Sequence, residues 1–162
     1  MKHTISVLVE NHAGVLARVA GLFARRGFNI DSLAVGVTDD ERVSRITIVA
    51  DGSEYTLEQI EKQLNKLIDV IKVKTLRSDI VSRELVLIKV SCTPKQRAEL
   101  ISIAEIAQGK ISDISQNSMT IELSDCKQRL DNFEELLRPY GIKEVVRTGT
   151  IAMQKGEATV RV

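Results

Sequence analysis

The residues best placed to do chemistry lie in Glu10–Ile30, E-N-H-A-G-V-L-A-R-V-A-G-L-F-A-R-R-G-F-N-I. A polar turn with a glycine opens a short amphipathic helix. A second glycine closes it, and an asparagine follows. At a helix start several backbone N–H groups lack intrahelical acceptors, and the helix dipole adds partial positive charge. A small anion fits there, including the carboxylate of a free amino acid. Gly14 admits a ligand close to the backbone. Asn11 is placed to cap the helix or to bond the ligand, and Val15 and Leu16 offer apolar walls. Asn29 begins the next strand, so across a two-fold dimer it would face the partner's turn. A side-chain amide both donates and accepts, which suits a zwitterion. The alternative is an ordinary turn with an asparagine cap and a helix-entry glycine.

Other chemistries find less support. His3 and His12 are the only histidines, and no Cys, His or carboxylate cluster shows metal-ligand spacing. His12 reads as a polar turn residue, and no metal is expected. Ser6, Ser32 and Ser44 have no base in view, so no catalytic residue is assigned. An acylphosphatase-like enzyme would need an arginine in the first turn, where Asn11-His12 stands. Aromatics make up 3% of the chain, too few for base stacking, and the net charge of +1 gives no field toward nucleic acid or an anionic membrane. No apolar run reaches the ~20 residues of a membrane span, and no signal peptide is evident, so a cytoplasmic protein is expected. Cys92 and Cys126 form no C-x-x-C pair and read as two free thiols, with a single disulfide as the alternative.

The elements that must position the turn follow from periodicity. Ile5, Val7 and Val9 alternate as in a strand. Val15, Leu16, Val19, Leu22 and Phe23 keep helical spacing up to Gly27. Phe28–Val37 and Val43–Ala50 read as a hairpin about the acidic turn Asp39–Glu41. Thr56 to Gln59 has capping-box form before the stripe Leu57, Ile60, Leu64, Leu67, and Val70–Leu76 is the last strand. The order then repeats. Glu84–Cys92 is a strand, and Thr93-Pro94-Lys95-Gln96 opens a helix with proline at its first position. Lys110–Ser115 and Ser118–Leu123 are strands. Asp125 and Gln128 cap a helix through Leu137, and Ile142–Met153 is the final strand. Residues 1–77 and 84–162 are thus two domains, joined by the linker 78–83, with the tail after Met153 expected to fray. Right-handed crossovers turn each βαββαβ half into a ferredoxin-like α+β sandwich. The second strand then lies at a sheet edge and the outer face is bare, which predicts association through Phe28–Val37.

The run I-S-V-L-V-E-N-x-x-G-V-L-x-R-V-x-G-L-F-x-R-R-G-F-N-I-x-S-L resembles the ACT domain of the small regulatory subunit of acetolactate (acetohydroxyacid) synthase. The resemblance continues in S-R-I-T-I-V (Ser44–Val49), in Q-I-E-K-Q-L-N-K-L-I-D-V-I-K-V (Gln59–Val73) and in R-E-L-V-L-I-K-V (Arg83–Val90). It implies a non-catalytic subunit that binds the large catalytic subunit, raises its activity and makes it sensitive to valine and other branched-chain amino acids. That enzyme joins two pyruvates, or pyruvate and 2-oxobutyrate, with loss of CO₂. Thiamine diphosphate, Mg²⁺ and FAD belong to the large subunit, leaving no cofactor on this chain. By the same resemblance, valine binds at a homodimer interface of ACT domains: Asn11, Gly14, Val15 and Leu16 from one chain, Asn29 and Ile30 from its neighbour. A free-standing ACT-domain amino-acid sensor, controlling another enzyme or a transcription process, is the second reading.

Overall fold

A computed structural model describes residues 1–162. It divides into two compact units, Met1–Ser82 with Thr150–Val162, and Arg83–Gly149.

In the first unit β1 (Lys2–Glu10), α1 (Val15–Arg26), β2 (Ile30–Val37), β3 (Val43–Asp51), α2 (Glu54–Leu64) and β4 (Val70–Leu76) follow in sequence. The strands form an antiparallel sheet in the order β2-β3-β1-β4, so β2 is an edge. This is the order that two interleaved βαβ crossovers produce. Ile5, Val7, Val9, Ile46 and Ile48 point to the face that carries Val15, Val19 and Phe23 of α1 and Leu57, Ile60 and Leu64 of α2. Phe23 meets Phe28 edge-on, with ring centroids 6.1 Å apart. Gly27 ends α1 at φ +67°, and its N–H returns to the carbonyls of Phe23 and Ala24.

The chain continues through β5 (Ile80–Ser91), α3 (Arg97–Ile106), β6 (Lys110–Ile114), β7 (Ser118–Asp125), α4 (Lys127–Leu137), β8 (Ile142–Arg147) and β9 (Ile151–Gln154). The second sheet runs β6-β7-β5-β8, with β9 also paired to β5. Its core gathers Val86, Ile88, Val90, Met119 and Ile121 against Leu100, Leu130, Phe133 and Leu137. The architecture is α+β, with the same strand order in both halves.

Several local expectations are corrected. The hydroxyl that caps α2 belongs to Ser53, whose Oγ accepts from the Thr56 N–H at 3.2 Å, not to Thr56. Pro94 lies in a turn ahead of α3, where the Gln96 Oε1 accepts from the Thr93 N–H at 3.1 Å. Asp125 bonds the N–H of Cys126 at 2.7 Å and leaves the cap position of α4 to Cys126. The single strand expected over Ile142–Met153 is two, because Gly149 at φ +83° turns the chain.

The segment after that turn, Thr150–Val162, groups with the first unit although its strand β9 pairs with β5, whereas 84–162 was expected as one domain with a frayed tail. The Thr150 N–H donates to Ser32 Oγ at 2.8 Å, Arg45 donates to the Ala152 carbonyl at 2.7 Å, and Lys72 Nζ donates to the Arg161 carbonyl at 2.7 Å. Val160–Val162 line a small cavity with Leu8. The face of the first sheet away from its helices is therefore not bare: Ser6, Leu8 and Thr47 are all buried. The β2 edge keeps Val35 and Val37 exposed. Both cysteines are free thiols, and no helix is long and apolar enough to cross a membrane.

Candidate functional site

The turn between β1 and α1 is fixed on both sides. The Glu10 N–H donates to the Asp69 carbonyl at 2.9 Å, and the Asn11 N–H donates to the Arg42 carbonyl at 2.8 Å. Asn11 does not cap α1. Its Nδ2 donates to the Glu41 carbonyl at 2.8 Å, tying the turn to the acidic hairpin tip and leaving the amide oxygen to meet a donor from outside.

Gly14 occupies the helix-entry position at φ +89°, ψ −15°, a left-handed conformation that a side chain resists. A Cβ there would meet nothing within 4 Å, so the approach to the backbone is open. The helix has no side-chain cap and no acidic residue in its first turn. Its leading N–H groups are thus left for an external acceptor. By contrast α2 has the Ser53 hydroxyl and Glu54 at its start. Val15 is buried and anchors the helix, whereas Leu16 is 43% exposed beside the turn. The expected apolar pair therefore divides into one core residue and one surface residue.

Asn29 and Ile30 stand at the other end of α1. Asn29 is exposed and its Nδ2 donates to Asp31 Oδ1 at 3.2 Å, while Ile30 is half-buried and opens β2. The helix between the two groups has 12 residues, a rise of about 18 Å. Within one chain the structure brings Asn11, Gly14, Val15 and Leu16 together and leaves Asn29 and Ile30 apart from them.

Sequence spacing showed no cluster of metal ligands, yet the fold makes one. Asp69, in the turn before β4, meets Glu10 and His12, and one ligand atom from each lies within 4.8 Å of the others. His12 Nε2 is 3.0 Å from Asp69 Oδ1 and 3.2 Å from Glu10 Oε2. The Arg18 guanidinium pairs with Asp69 Oδ2. The hydrogen bond to the Ala13 carbonyl is the main cause that raises the His12 pKa above its ordinary value, with Asp69 and Glu10 adding to it. The signal in sequence was only a polar residue far along the chain.

The comparisons with known proteins agree with one another. The family described as AHAS small subunit-like ACT domain matches residues 5–72, and the family described as small subunit of acetolactate synthase matches residues 83–156. A probable acetolactate synthase small subunit of Archaeoglobus fulgidus is 51% identical over 156 residues, covering 96% of this chain and 98% of that one. The acetolactate synthase small subunit of Mycolicibacterium smegmatis is 48% identical over 155 residues, covering 95% of this chain and 91% of that one. Among solved structures, the acetolactate synthase small subunit from Thermotoga maritima superposes with a TM-score of 0.91 at 40% identity, covering 98% of this chain and 99% of that one.

Proposed function

The chain belongs to the acetolactate synthase small-subunit family, and on that premise we propose that it activates the catalytic large subunit and transmits feedback inhibition by valine. Thiamine diphosphate, Mg²⁺ and FAD sit on the large subunit in this reading, and the chain works in the cytoplasm. The observation that carries the proposal is the uncapped start of α1 behind Gly14, an open nest of N–H groups with no acid of its own.

The valine carboxylate lies on the N–H groups around Gly14 to Leu16, where the helix dipole favours negative charge. Its ammonium meets the Asn11 amide oxygen, whose Nδ2 is already committed to Glu41. The isopropyl group packs on Leu16. Asn29 and Ile30 of a second copy close the site, since the partner residues within one chain are a helix length away. Because the pocket spans two chains, binding alters how they pack, and that bias reaches the large subunit as a coupling of roughly 1–3 kcal/mol.

The test is reconstitution with a catalytic subunit, followed by titration of activity with valine, leucine and isoleucine. Valine is expected to inhibit, and Asn29→Ala to weaken its calorimetric binding about tenfold, the value of one lost hydrogen bond to a charged group. Full valine affinity in Asn29→Ala would remove the shared site. A reconstituted enzyme indifferent to all three amino acids would remove the regulatory reading in favour of a sensor for another system.

A further inference from the structure

The Glu10, His12, Asp69 cluster plays no part in the amino-acid reading, yet its geometry is that of a coordination site. Around an ion bound at roughly 2.0–2.1 Å, neighbouring ligand atoms stand about 3.3 Å apart in a tetrahedron and about 2.9 Å apart in an octahedron. His12 Nε2 is 3.0 Å from Asp69 Oδ1 and 3.2 Å from Glu10 Oε2, so two edges already have that spacing. The backbone bond from the Glu10 N–H to the Asp69 carbonyl, 2.9 Å, holds the two stretches together.

Two of the three groups, His12 and Asp69, also have an outer partner that orients them, as metal ligands do. His12 Nδ1 bonds the Ala13 carbonyl at 3.1 Å. A carbonyl only accepts, so Nδ1 carries a proton, and Nε2 is the ring atom turned to the carboxylates. Asp69 has its Oδ2 on Arg18, which leaves Oδ1 facing His12. His12 Nε2 and one oxygen of each carboxylate thus converge on one point. The Asp69 side chain is 8% exposed and forms the floor, while those of His12 and Glu10 are 47% and 56% exposed and leave a way in.

We propose that Glu10, His12 and Asp69 bind a first-row transition-metal dication of the Zn²⁺ class, with water completing the coordination. One imidazole with two carboxylates suits Zn²⁺, Co²⁺ or Mn²⁺, whereas Mg²⁺ and Ca²⁺ take oxygen ligands. Arg18 offsets part of the carboxylate charge, so the pair of acids still leaves a net attraction for a dication. The site joins the end of β1 to the turn before β4, and an ion there would stiffen the entry to α1.

The test uses the full chain and metal alone, with no amino acid and no catalytic subunit. Zn²⁺ titration by calorimetry is expected to show one equivalent per chain. It should also move the ring resonances of His12 and leave those of His3 in place. His12→Ala and Glu10→Gln, both at exposed positions, should each weaken Zn²⁺ at least tenfold, and Cys126→Ser should leave it unchanged. Mg²⁺ at the same concentration should move neither histidine. Absence of Zn²⁺ binding, or equal affinity and stoichiometry in His12→Ala and Glu10→Gln, would overturn the site. A chain that binds valine but no Zn²⁺ loses only this inference, and one that binds Zn²⁺ but no valine loses only the effector reading.

Discussion

Gly14 permits a test in which strain and charge separate. Its φ of +89° is costly for any side chain, but a Cβ there meets nothing within 4 Å. Gly14→Ala therefore carries backbone strain alone, about 1–2 kcal/mol. Gly14→Asp carries no more, since aspartate enters the left-handed region more readily and a carboxylate at a helix start is favoured by the dipole. Both variants are expected to fold. They differ in what they present to the effector. A carboxylate about 4 Å from that of valine repels it by about 1 kcal/mol in water and about 4 kcal/mol at an effective dielectric constant of 20. The turn is open to solvent on one side, so valine should weaken between about fivefold and about a thousandfold in Gly14→Asp beyond any change in Gly14→Ala. Calorimetric titration of both variants measures this, with thermal unfolding as the fold control and activity of the reconstituted enzyme as the functional readout. A folded Gly14→Asp that binds valine as tightly as the unaltered chain would refute an anion nest at this turn.

Charge on the β2 edge tests the second copy: Val35→Lys with Val37→Lys, at positions 47% and 56% exposed, should leave monomers in sedimentation velocity and abolish tight valine binding, because like charges then face each other across the pairing edge. Ser53→Ala should cost about 1 kcal/mol in urea unfolding, since its Oγ is the acceptor for the Thr56 N–H. The Asp40 carboxyl, held by Arg42, is lowered from 3.8 to about 2. Its contribution to stability is present above pH 3.8 and is lost as pH falls through about 2, and a carboxyl-carbon NMR titration should find the low midpoint in the native chain and a return toward 3.8 in Arg42→Ala.

Element order was legible because burial leaves its period in the chain. Ile5, Val7 and Val9 alternate, while Val15, Val19, Leu22 and Phe23 repeat at helical spacing, and all are buried. Strand order followed from the handedness of crossovers rather than from any residue. Caps were less legible. Ser53 and Thr56 both offer a hydroxyl three positions before a plausible partner, and only the backbone conformation at Ser53, extended at φ −78°, ψ 168°, decides between them. The return of Thr150–Val162 was illegible for a different reason. Its anchors are backbone carbonyls of Ala152 and Arg161, which every residue has, and the donors Arg45 and Lys72 look from sequence like solvated charges. The same holds for Asp69. Nothing near it in the chain marks it, and only the β1–β4 pairing brings it to His12.

The local role of Asn11 bears on how an effector would be read out. Its amide hydrogen grips the Glu41 carbonyl at the β2–β3 hairpin, and its own N–H grips the Arg42 carbonyl beside it. The hairpin continues directly into the exposed β2 edge, where Val35 pairs with Ile46 and Val37 with Ser44. A ligand that drew on the Asn11 oxygen would therefore pull on a side chain already fastened to the hairpin tip that leads into the proposed pairing edge. Gly14 at one end of α1 and Asn29 at the other would report to the same edge from opposite directions. A pocket assembled this way needs no large motion to sense its occupant. Small shifts of a shared hairpin suffice, because packed interfaces change between discrete arrangements rather than deforming smoothly.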